Sequence, residues 1–378
     1  MAKRPVVSKS PAAARSRERA EPVPVFLFGA RGMLAGEFLR LLELHPGLEL
    51  RAAVSREPGG ESHRHLAATA RLELVDAPQG ERALEETLAA GTPAAVVLAL
   101  PHGESARTWL ALKSRLGADA DRLHVLDLAA DFRLRDPERY RRTYGHEHPA
   151  PDELARFVYG LPEERRAELH GAQKVAAPGC FATALQLAVL PAASAGLLDG
   201  TRAWILNGIT GSSGSGNEPK PATHHPHRHG NVWAYSVGGH RHEAELEQAL
   251  ELQGFDGALL PPLAFVAHSG PFARGIHLTA SLPLAARIDA DEARAVYAAR
   301  YRDEPFVQVL EEGTPDLRSV AGSNRVSLAT AVRGETLHVL LTLDNLVKGG
   351  AGQGLQCLNL MLGFPETSGL PRCGLGVS

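Results

Sequence analysis

One cysteine stands where a nucleophile would be expected. Cys180 follows Gly179 at a glycine turn and leads into an apolar stretch with helical spacing, Ala182 to Leu198. A thiol at a helix N-terminus has a lowered pKa, because the helix dipole favours the thiolate. A lone cysteine is more commonly a buried structural residue, and Cys357, inside the apolar run Leu355 to Leu362, fits that description. We therefore predict that Cys180 is a covalent nucleophile and that Cys357 is not.

Two histidines could exchange protons with this thiol. His240 and His242 precede a helical segment that begins near Ala244. The ordinary pKa of imidazole lies near neutral pH, which suits general acid–base catalysis. His242 is the preferred candidate, and His240 is the alternative.

A histidine-rich tract lies upstream of this pair and contains His224, His225, His227 and His229. Such tracts can bind metal. The spacing matches no zinc signature, and no cysteine joins the tract. We therefore predict no metal site.

A glycine-rich turn follows the first apolar run, Val23 to Phe28, and comes before a helical pattern at Glu37 to Leu42. The turn consists of Gly29, Ala30, Arg31, Gly32, Met33 and Leu34. Glycines between a strand and a helix let the backbone approach a pyrophosphate, which then lies at the helix N-terminus. The turn therefore predicts a dinucleotide site, and an ordinary strand-to-helix turn is the alternative.

The end of the second strand separates the two nicotinamide cofactors. An NAD site usually places Asp or Glu there to hold the ribose 2′-hydroxyl. This chain has Ser55 and Arg56 after the apolar run Leu48 to Val54. A hydroxyl and a guanidinium suit a 2′-phosphate, which favours NADP over NAD.

The remaining polar clusters lie at strand ends or in loops, where a cleft would need them. They are Leu100 to Gly103, Asp127 to Arg133, Gly211 to Gly216, Arg274-Gly275 and Asp344 to Gly349.

Alternating apolar runs and helical patterns predict a mostly parallel sheet covered on both faces. Beyond about residue 180, period-two runs such as Arg274 to Leu282 and Leu337 to Leu343 predict antiparallel strands. The fold class is therefore α/β, with a Rossmann-type domain at 23–178 and an α+β domain at 179–344. The C-terminal segment 345–378, with helical spacing from Gly352 to Leu362, is expected to pack back on the first domain and complete it.

Composition excludes several classes of protein. The formal net charge of -3 gives no electrostatic case for nucleic acid or an anionic membrane, and no apolar run is long enough to cross a bilayer. Three cysteines without close spacing argue against a disulfide framework, so a reducing cytoplasm is expected. Residues 1–22 form a basic stretch without an apolar core, and we expect a disordered tail.

The chain resembles the N-acetyl-gamma-glutamyl-phosphate reductases of arginine biosynthesis, which are related to aspartate-semialdehyde dehydrogenase. The matching segments follow the family's order over nearly everything after the tail. They are the Gly29 turn, Ser55-Arg56, Ala99 to Gly103, Asp127 to Leu134, Tyr159 to Glu163, Pro178 to Cys180, Gly238 to His242, Arg274-Gly275 and Asp344 to Gly352.

The resemblance implies that Cys180 attacks an acyl phosphate, releases phosphate, and forms a thioester that accepts hydride from NADPH. It implies His242 as the acid/base, and Pro101, His102 and Asn345 beside the cofactor. The substrate would be held by Arg133, Ser213, His240 and Arg274. The family's loop usually reads Gly-Ala-Ser-Gly-Tyr-Thr-Gly, and here Arg31, Met33 and Leu34 replace the three hydroxyl residues.

A sister branch of the family acts on aminoadipyl or glutamyl phosphates, in some cases carried on a small acidic protein. The stretch Thr223 to Gly230 resembles that branch, and its histidines together with Arg228 would offer a basic surface to such a carrier. The resemblance also implies a homodimer or homotetramer. An NADP-sensing regulator would not need Cys180 with a histidine pair, and a Cys/His acyltransferase or hydrolase would not need the Gly29 turn.

Overall fold

The computed structural model describes residues 21–57, 73–257 and 260–376, so the predicted tail at 1–22 lies almost entirely outside the described residues. The described residues form two seven-stranded sheets. Within the described ranges, no helix is both long and apolar enough to cross a bilayer.

The first sheet is parallel throughout and has the order β3-β2-β1-β4-β5-β7-β6. Its strands are β1 (Val23–Phe28), β2 (Leu48–Val54), β3 (Leu74–Val75), β4 (Ala95–Leu98), β5 (His124–Asp127), β6 (Val158–Tyr159) and β7 (Lys174–Ala176). The helices between them are α1 (Met33–Leu42), α2 (Ala77–Ala89), α3 (Glu104–Leu116), α4 (Pro137–Tyr144) and α5 (Pro162–Leu169). The order reverses between β1 and β4, which is where doubly wound sheets open a crevice for ligands.

The second sheet is mixed and has the order β12-β13-β14-β11-β8-β10-β9. Its strands are β8 (Trp204–Thr210), β9 (Trp233–Tyr235), β10 (Leu263–Ser269), β11 (Ile276–Pro283), β12 (Val307–Val309), β13 (Val326–Arg333) and β14 (Thr336–Leu343). Its helices are α6 (Cys180–Ser194), α7 (His225–Arg228), α8 (Glu243–Leu252) and α9 (Ala290–Arg300). The predicted antiparallel pairing of the two period-two runs is confirmed, because β11 and β14 pair over their full length.

Helix α6 is the central helix of the second unit. It is buried from Phe181 to Ala193 and packs on the inner face of the second sheet. It begins two residues earlier than the helical spacing predicted and ends at Ser194 rather than Leu198. The earlier end comes just before Gly196, whose φ of +67° is left-handed and cannot continue an α-helix.

The C-terminal helix α10 (Gly352–Leu362) packs under the first sheet. Leu355 and Leu358 lie in one apolar cluster with Val25, Leu27 and Val97 of that sheet. One turn of π-helix, 347–351, joins β14 to α10. The polar cluster Asp344 to Gly349 lies directly after a strand, as the sequence predicted, because β14 ends at Leu343. The π-helical turn and the burial of every residue from Val347 to Ala351 were not predicted.

Candidate active site

Cys180 is the first residue of α6, and Gly179 is its N-cap. Gly179 has an extended conformation and no capping side chain, so no side chain is interposed at the first turn. Phe181 lies directly over Gly208 of β8, where a Cβ would meet the ring at 2.3 Å. The buried helix and this close approach fix the thiol at the junction of the two sheets, partly exposed to solvent.

The His242 ring lies against Gly179. A Cβ on Gly179 would be 2.3 Å from His242 Nε2, so only glycine fits beside the imidazole. His242 is 4 % exposed, and its Nδ1 is buried without a hydrogen-bond partner. The backbone N–H of His242 donates to His240 Nδ1 at 3.2 Å, and the two ring centroids are 4.7 Å apart. The structure therefore brings both predicted histidines to the start of α6.

Both members of the cysteine–histidine pair are neutral. Burial raises the pKa of the Cys180 thiol above its ordinary value, although Arg133 and the N–H of Phe181 act in the opposite direction. Burial, together with the charges of His240 and Arg133, holds the pKa of His242 well below its ordinary value. A neutral imidazole beside a neutral thiol can take up the thiol proton during attack.

A buried network holds the Gly179 turn in place. Glu245 of α8 is fully buried and accepts hydrogen bonds from the Gly179 N–H at 3.1 Å and the Tyr159 hydroxyl at 2.8 Å. Gln186 of α6 donates to the same hydroxyl at 2.6 Å. Arg133 completes the network at 3.4 Å from Glu245 and donates to the carbonyl of Ala177. Neither Glu245 nor Gln186 was predicted to have a role, because nothing in the sequence pattern of α8 or α6 marks a buried polar residue.

The crevice between β1 and β4 has the features of a dinucleotide cradle. Gly29 has φ +87°, and a Cβ there would lie 2.4 Å from the carbonyl oxygen of Ala99. Ala30 is buried behind the turn. Gly32 is the N-cap of α1 and brings no capping side chain, so the N-cap leaves the first-turn N–H groups available to donate to an anion. The residues present therefore fit a pyrophosphate.

Arg31 links this turn to the end of β2. Its Nε donates to the Ser55 hydroxyl at 3.0 Å, and its guanidinium also donates to the Glu57 carbonyl at 2.7 Å. Arg56 points elsewhere and pairs with Glu104 at the start of α3. The two cations therefore stand at different positions around Ser55. Met33 is exposed at the start of α1.

The loop after β4 carries Pro101 and His102 at the mouth of the crevice, and both are exposed. Asp131 fixes this loop by accepting hydrogen bonds from the N–H groups of Gly103 at 2.7 Å and Ala106 at 2.9 Å. His102 is thereby held close to Arg241 of the second unit.

Arg274 and Asn345 occupy the other side of the junction. Arg274 pairs with Asp344 at 2.8 Å and with Glu37 of α1 at 2.9 Å. Asn345 accepts a hydrogen bond from the Gly275 N–H at 2.6 Å and donates to the Ser213 hydroxyl at 2.9 Å.

The π-helix contacts the cysteine and the glycine-rich turn together. A Cβ on Gly349 would lie 2.7 Å from Cys180 Cβ, and a Cβ on Gly350 would lie 2.4 Å from Leu34 Cδ1. Lys348, which directly precedes Gly349, is fully buried and pairs with Glu163 of α5 at 2.6 Å.

The histidine tract forms an exposed surface around the four-residue helix α7. One expectation about it was wrong, because Arg228 is not on this surface. Its guanidinium is buried, donates to Ser269 Oγ at 2.8 Å and to the Gly270 carbonyl, and lies over the Trp233 ring. Among residues that the structure describes, no three histidine, cysteine or acidic side chains gather as metal ligands would.

A doubly wound sheet whose crevice opens beside a thiol and an imidazole defines a nicotinamide-dependent oxidoreductase. Comparison with known proteins agrees. Family models match at residues 24–172 (semialdehyde dehydrogenase, NAD binding domain) and 180–345 (semialdehyde dehydrogenase, dimerisation domain). The chain belongs to the semialdehyde dehydrogenase family, and the resemblance seen in the sequence is confirmed.

Its relatives cover nearly the whole chain. An N-acetyl-gamma-glutamyl-phosphate reductase of Saccharopolyspora erythraea is 41% identical, with 93% of this chain and 99% of the relative covered. One from Polynucleobacter asymbioticus is 39% identical at 93% and 98% coverage. A putative LysW-L-2-aminoadipate 6-phosphate reductase of Thermomicrobium roseum is 38% identical at 93% and 99% coverage.

Solved structures share the fold at low identity. Aspartate semialdehyde dehydrogenase II of Vibrio cholerae, complexed with ASA, superposes with a TM-score of 0.62 at 14% identity and covers 91% of this chain and 99% of that chain. The Candida albicans enzyme, solved with NADP, gives 0.62 at 15% identity with the same coverage.

Proposed function

We propose that this chain reduces N-acetyl-gamma-glutamyl phosphate with NADPH, and that N-acetylglutamate semialdehyde and phosphate are the products. The relatives from Saccharopolyspora and Polynucleobacter carry this activity in their names. The observation that carries the proposal is the position of Cys180 at the first residue of α6, with the His242 ring against its N-cap. The cofactor-binding domain would consist of residues 23–178 together with 345–378, and the catalytic domain of residues 179–344.

The covalent step belongs to Cys180. Its Sγ attacks the acyl carbon while neutral His242 takes the thiol proton, and the bond from carbon to the phosphate oxygen breaks as the thioester forms. NADPH supplies a hydride to the thioester carbon when it is bound. The resulting hemithioacetal oxygen needs a proton relay as it collapses to aldehyde and thiol, and His242 is placed to provide it. His240 holds the adjacent backbone and is positioned to contact the substrate.

The residues around the crevice between β1 and β4 are the ones that would contact the cofactor. The turn from Gly29 to Leu34 and the N-terminus of α1 would receive the pyrophosphate. Ser55, Arg31 and Arg56 would hold the 2′-phosphate, while Pro101, His102 and Asn345 line the path to Cys180. Arg133, Ser213 and Arg274 would contact the substrate. Because Arg133 pairs with Glu245, and Arg274 pairs with Asp344 and Glu37, neither guanidinium brings an uncompensated charge.

A second substrate is supported by two specific observations. One relative at 38% identity is named for an aminoadipate phosphate carried on LysW. The exposed histidines around α7 form an imidazole-rich surface, without Arg228, that a small acidic carrier could contact. The chemistry would be unchanged, and only the acyl group would be one carbon longer.

An assay in the aldehyde-oxidising direction separates the two substrates. NADPH formation is measured with N-acetylglutamate semialdehyde, phosphate and NADP, beside the aminoadipate semialdehyde, free and carrier-bound. We expect a kcat/KM at least tenfold higher for the acetylglutamate substrate. A preference for the longer or carrier-bound aldehyde would assign the enzyme to the second substrate, and no turnover with either would reject the proposal.

We also propose a homodimer or homotetramer that lies in a reducing cytoplasm. The outer face of the second sheet is exposed along β8, where Ile205 is 48% exposed. The match to a dimerisation domain over these strands makes a second copy the natural partner. All three cysteines are free thiols, which suits a reducing compartment.

A further inference from the structure

A fully buried ion pair lies beside the π-helical turn at 347–351. Its partners are Lys348 and Glu163, whose Nζ and Oε1 atoms are 2.6 Å apart, and neither side chain has exposed surface. The same Nζ donates to Gln356 Oε1 at 2.8 Å and lies 5.9 Å from the centre of the Phe306 ring. Three neighbours therefore hold the ammonium group in one direction.

Stability alone does not explain this pair. Two charges lose their hydration when they are buried, and their attraction in the interior often fails to repay that cost, so apolar residues of similar volume frequently stabilise a protein equally well. Glu163 Oε2 adds to the cost, because it is buried and accepts no hydrogen bond from any residue that the structure describes. A buried polar pair can instead select one packing arrangement among several.

The arrangement that this pair would select is the π-helical register. The N–H of Gly349 donates to the carbonyl of Asp344 at 2.8 Å, and the N–H of Ala351 donates to that of Leu346 at 2.7 Å, so both bonds span five residues. The chain continues directly into α10, whose hydrogen bonds span four residues. A return to four-residue spacing at 347–351 would rotate the preceding residues by roughly 100° about the helix axis. The Lys348 side chain would then turn away from Glu163.

The π-helical register also decides which backbone atoms meet Cys180. A Cβ on Gly349 would lie 2.7 Å from Cys180 Cβ, and a Cβ on Gly350 would lie 2.4 Å from Leu34 Cδ1. Lys348 directly precedes these two glycines, and its hydrogen bonds go to Glu163 and Gln356. An effect of the ion pair on the thiol is therefore transmitted by the backbone of the turn.

We propose that the ion pair with Glu163 makes Lys348 a positioning residue, which holds 347–351 in the π-helical register against Cys180 and the glycine-rich turn. This inference rests on the proposed function, since the reaction is what Cys180 is positioned for. The pair contributes direction rather than stability. When its directed hydrogen bond is lost, the turn changes its spacing, and Gly349 and Gly350 withdraw from Cys180 and Leu34.

Two variants separate direction from stability. Lys348→Met/Glu163→Leu replaces the pair with apolar side chains, and Gln356 Oε1 still accepts from Asn324 Nδ2 at 2.8 Å. We expect Tm within about 3 °C of the unmodified enzyme but kcat at least tenfold lower. Glu163→Gln keeps an acceptor for Nζ and leaves the buried ammonium without a counter-charge. We expect Tm to fall by roughly 5 °C or more, with kcat kept within about threefold.

Two further readouts do not depend on which acyl phosphate is the substrate. Alkylation of Cys180 by iodoacetamide is timed by peptide mass spectrometry in a Cys373→Ser background, because Cys373 is exposed whereas Cys357 is buried. The NADPH dissociation constant is measured by fluorescence titration. In the double variant we expect alkylation at least threefold faster and NADPH binding at least threefold weaker, because both glycine contacts are lost. Glu163→Gln should change neither value more than about twofold.

Lys113→Met is the matched control, since it breaks a lysine–glutamate pair of the same 2.6 Å length, with Glu153 in the first unit. It should leave kcat, alkylation and NADPH binding unchanged. A merely structural pair would make kcat and alkylation follow Tm. Normal kcat and alkylation in the double variant, or a parallel loss of Tm and kcat in Glu163→Gln, would therefore overturn the positioning role.

The remaining outcomes are also decisive. If the double variant does not fold, Glu163→Gln decides alone: kcat kept at a lowered Tm supports the positioning role, and a parallel loss of both overturns it. Absence of turnover in the unmodified enzyme would reject the proposed function. The alkylation rates and NADPH dissociation constants would still show whether Lys348 positions the turn.

Discussion

Cys180 and His242, the proposed catalytic pair, show how burial sets the resting protonation state of a thiol and an imidazole. The position at a helix N-terminus predicted a lowered thiol pKa, yet desolvation prevails and the pKa of Cys180 is raised. The same desolvation lowers the pKa of His242. The resting pair is therefore a thiol and a neutral imidazole, and the thiolate forms only when the base takes the proton during attack.

Replacing Cys180 with alanine tests the nucleophile. We expect no measurable turnover, an unchanged fold, and no acyl adduct by intact-mass spectrometry after semialdehyde and NADP are added without phosphate. Cys357→Ala is the matched control, since that thiol is buried and donates to the Gly160 carbonyl. It should keep kcat within about threefold and lose some Tm. Turnover by the Cys180 variant would contradict the mechanism.

Replacing His242 with asparagine tests the acid/base role. A positioned histidine typically contributes about 10²–10⁴-fold, and kcat should fall by that order. Because the pKa of His242 is lowered, the base stays deprotonated below pH 6.5, so the unmodified enzyme should keep its activity on the acid side of that value. His240→Asn should change substrate KM more than kcat. An acid limb centred above pH 6.5, or an unaffected kcat in both variants, would count against the assignment.

Arg31 and Arg56 can be separated by cofactor kinetics. The Arg31 guanidinium donates a hydrogen bond to the Ser55 hydroxyl, whereas Arg56 forms an ion pair with Glu104. A charge-assisted hydrogen bond to phosphate is worth about 1.5–3 kcal/mol, so Arg31→Ala should raise the NADPH KM at least tenfold. NADH use should change little, and Arg56→Ala should have the smaller effect on NADPH. Equal losses with NADPH and NADH would reject the 2′-phosphate role.

At the scale of the element, the π-helix at 347–351 connects the two functional halves. Gly349 packs against Cys180, and Gly350 packs against Leu34 of the glycine-rich turn. The buried ion pair between Lys348 and Glu163 joins this π-helical turn to α5. π-helical turns are rare and are frequently found at functional sites, and here one places two consecutive glycines against Cys180 and the glycine-rich turn.

Alanine substitutions should separate these two contacts. Gly349→Ala forces a Cβ to 2.7 Å from Cys180 Cβ, so we expect kcat to fall at least tenfold. Gly350→Ala meets only the flexible end of Leu34 and should raise the NADPH KM with a smaller loss of kcat. Gly200→Ala, which has open space around it, is the control. Identical kinetic effects from both variants would argue against separate roles.

The elements that the sequence could predict are those with local signals. The strand, glycine turn and helix from Val23 to Leu42 were predicted correctly, because apolar periodicity and glycine positions reflect local geometry. The π-helix was missed, since Lys348 is buried by Glu163, a residue 185 positions away. Arg228 was taken as a surface cation for the same reason, because Ser269 and Gly270 are distant in sequence. Partners supplied by distant chain segments leave no periodic signal.

At the scale of the whole molecule, the open face of the second sheet is the surface to test for self-association. Ile205→Arg places a charge in the middle of that face, and we expect the oligomer to dissociate to a lower-order species in sedimentation or light-scattering measurements. Val237→Arg, at another exposed apolar position, should leave the assembly intact. An unchanged mass for Ile205→Arg would place the interface elsewhere.

The placement of α10 under the first sheet has a consequence for synthesis. The apolar face formed by Val25, Leu27 and Val97 is covered by Leu355 and Leu358, which emerge from the ribosome after both units have been translated. At a translation rate of about 5–20 residues per second, these strands stay uncovered for roughly 10–50 seconds before α10 has been synthesised. During that interval the nascent chain exposes an apolar surface that is prone to aggregation. The yield of folded protein in the cell should therefore depend on chaperone supply and on the speed of translation through the second unit.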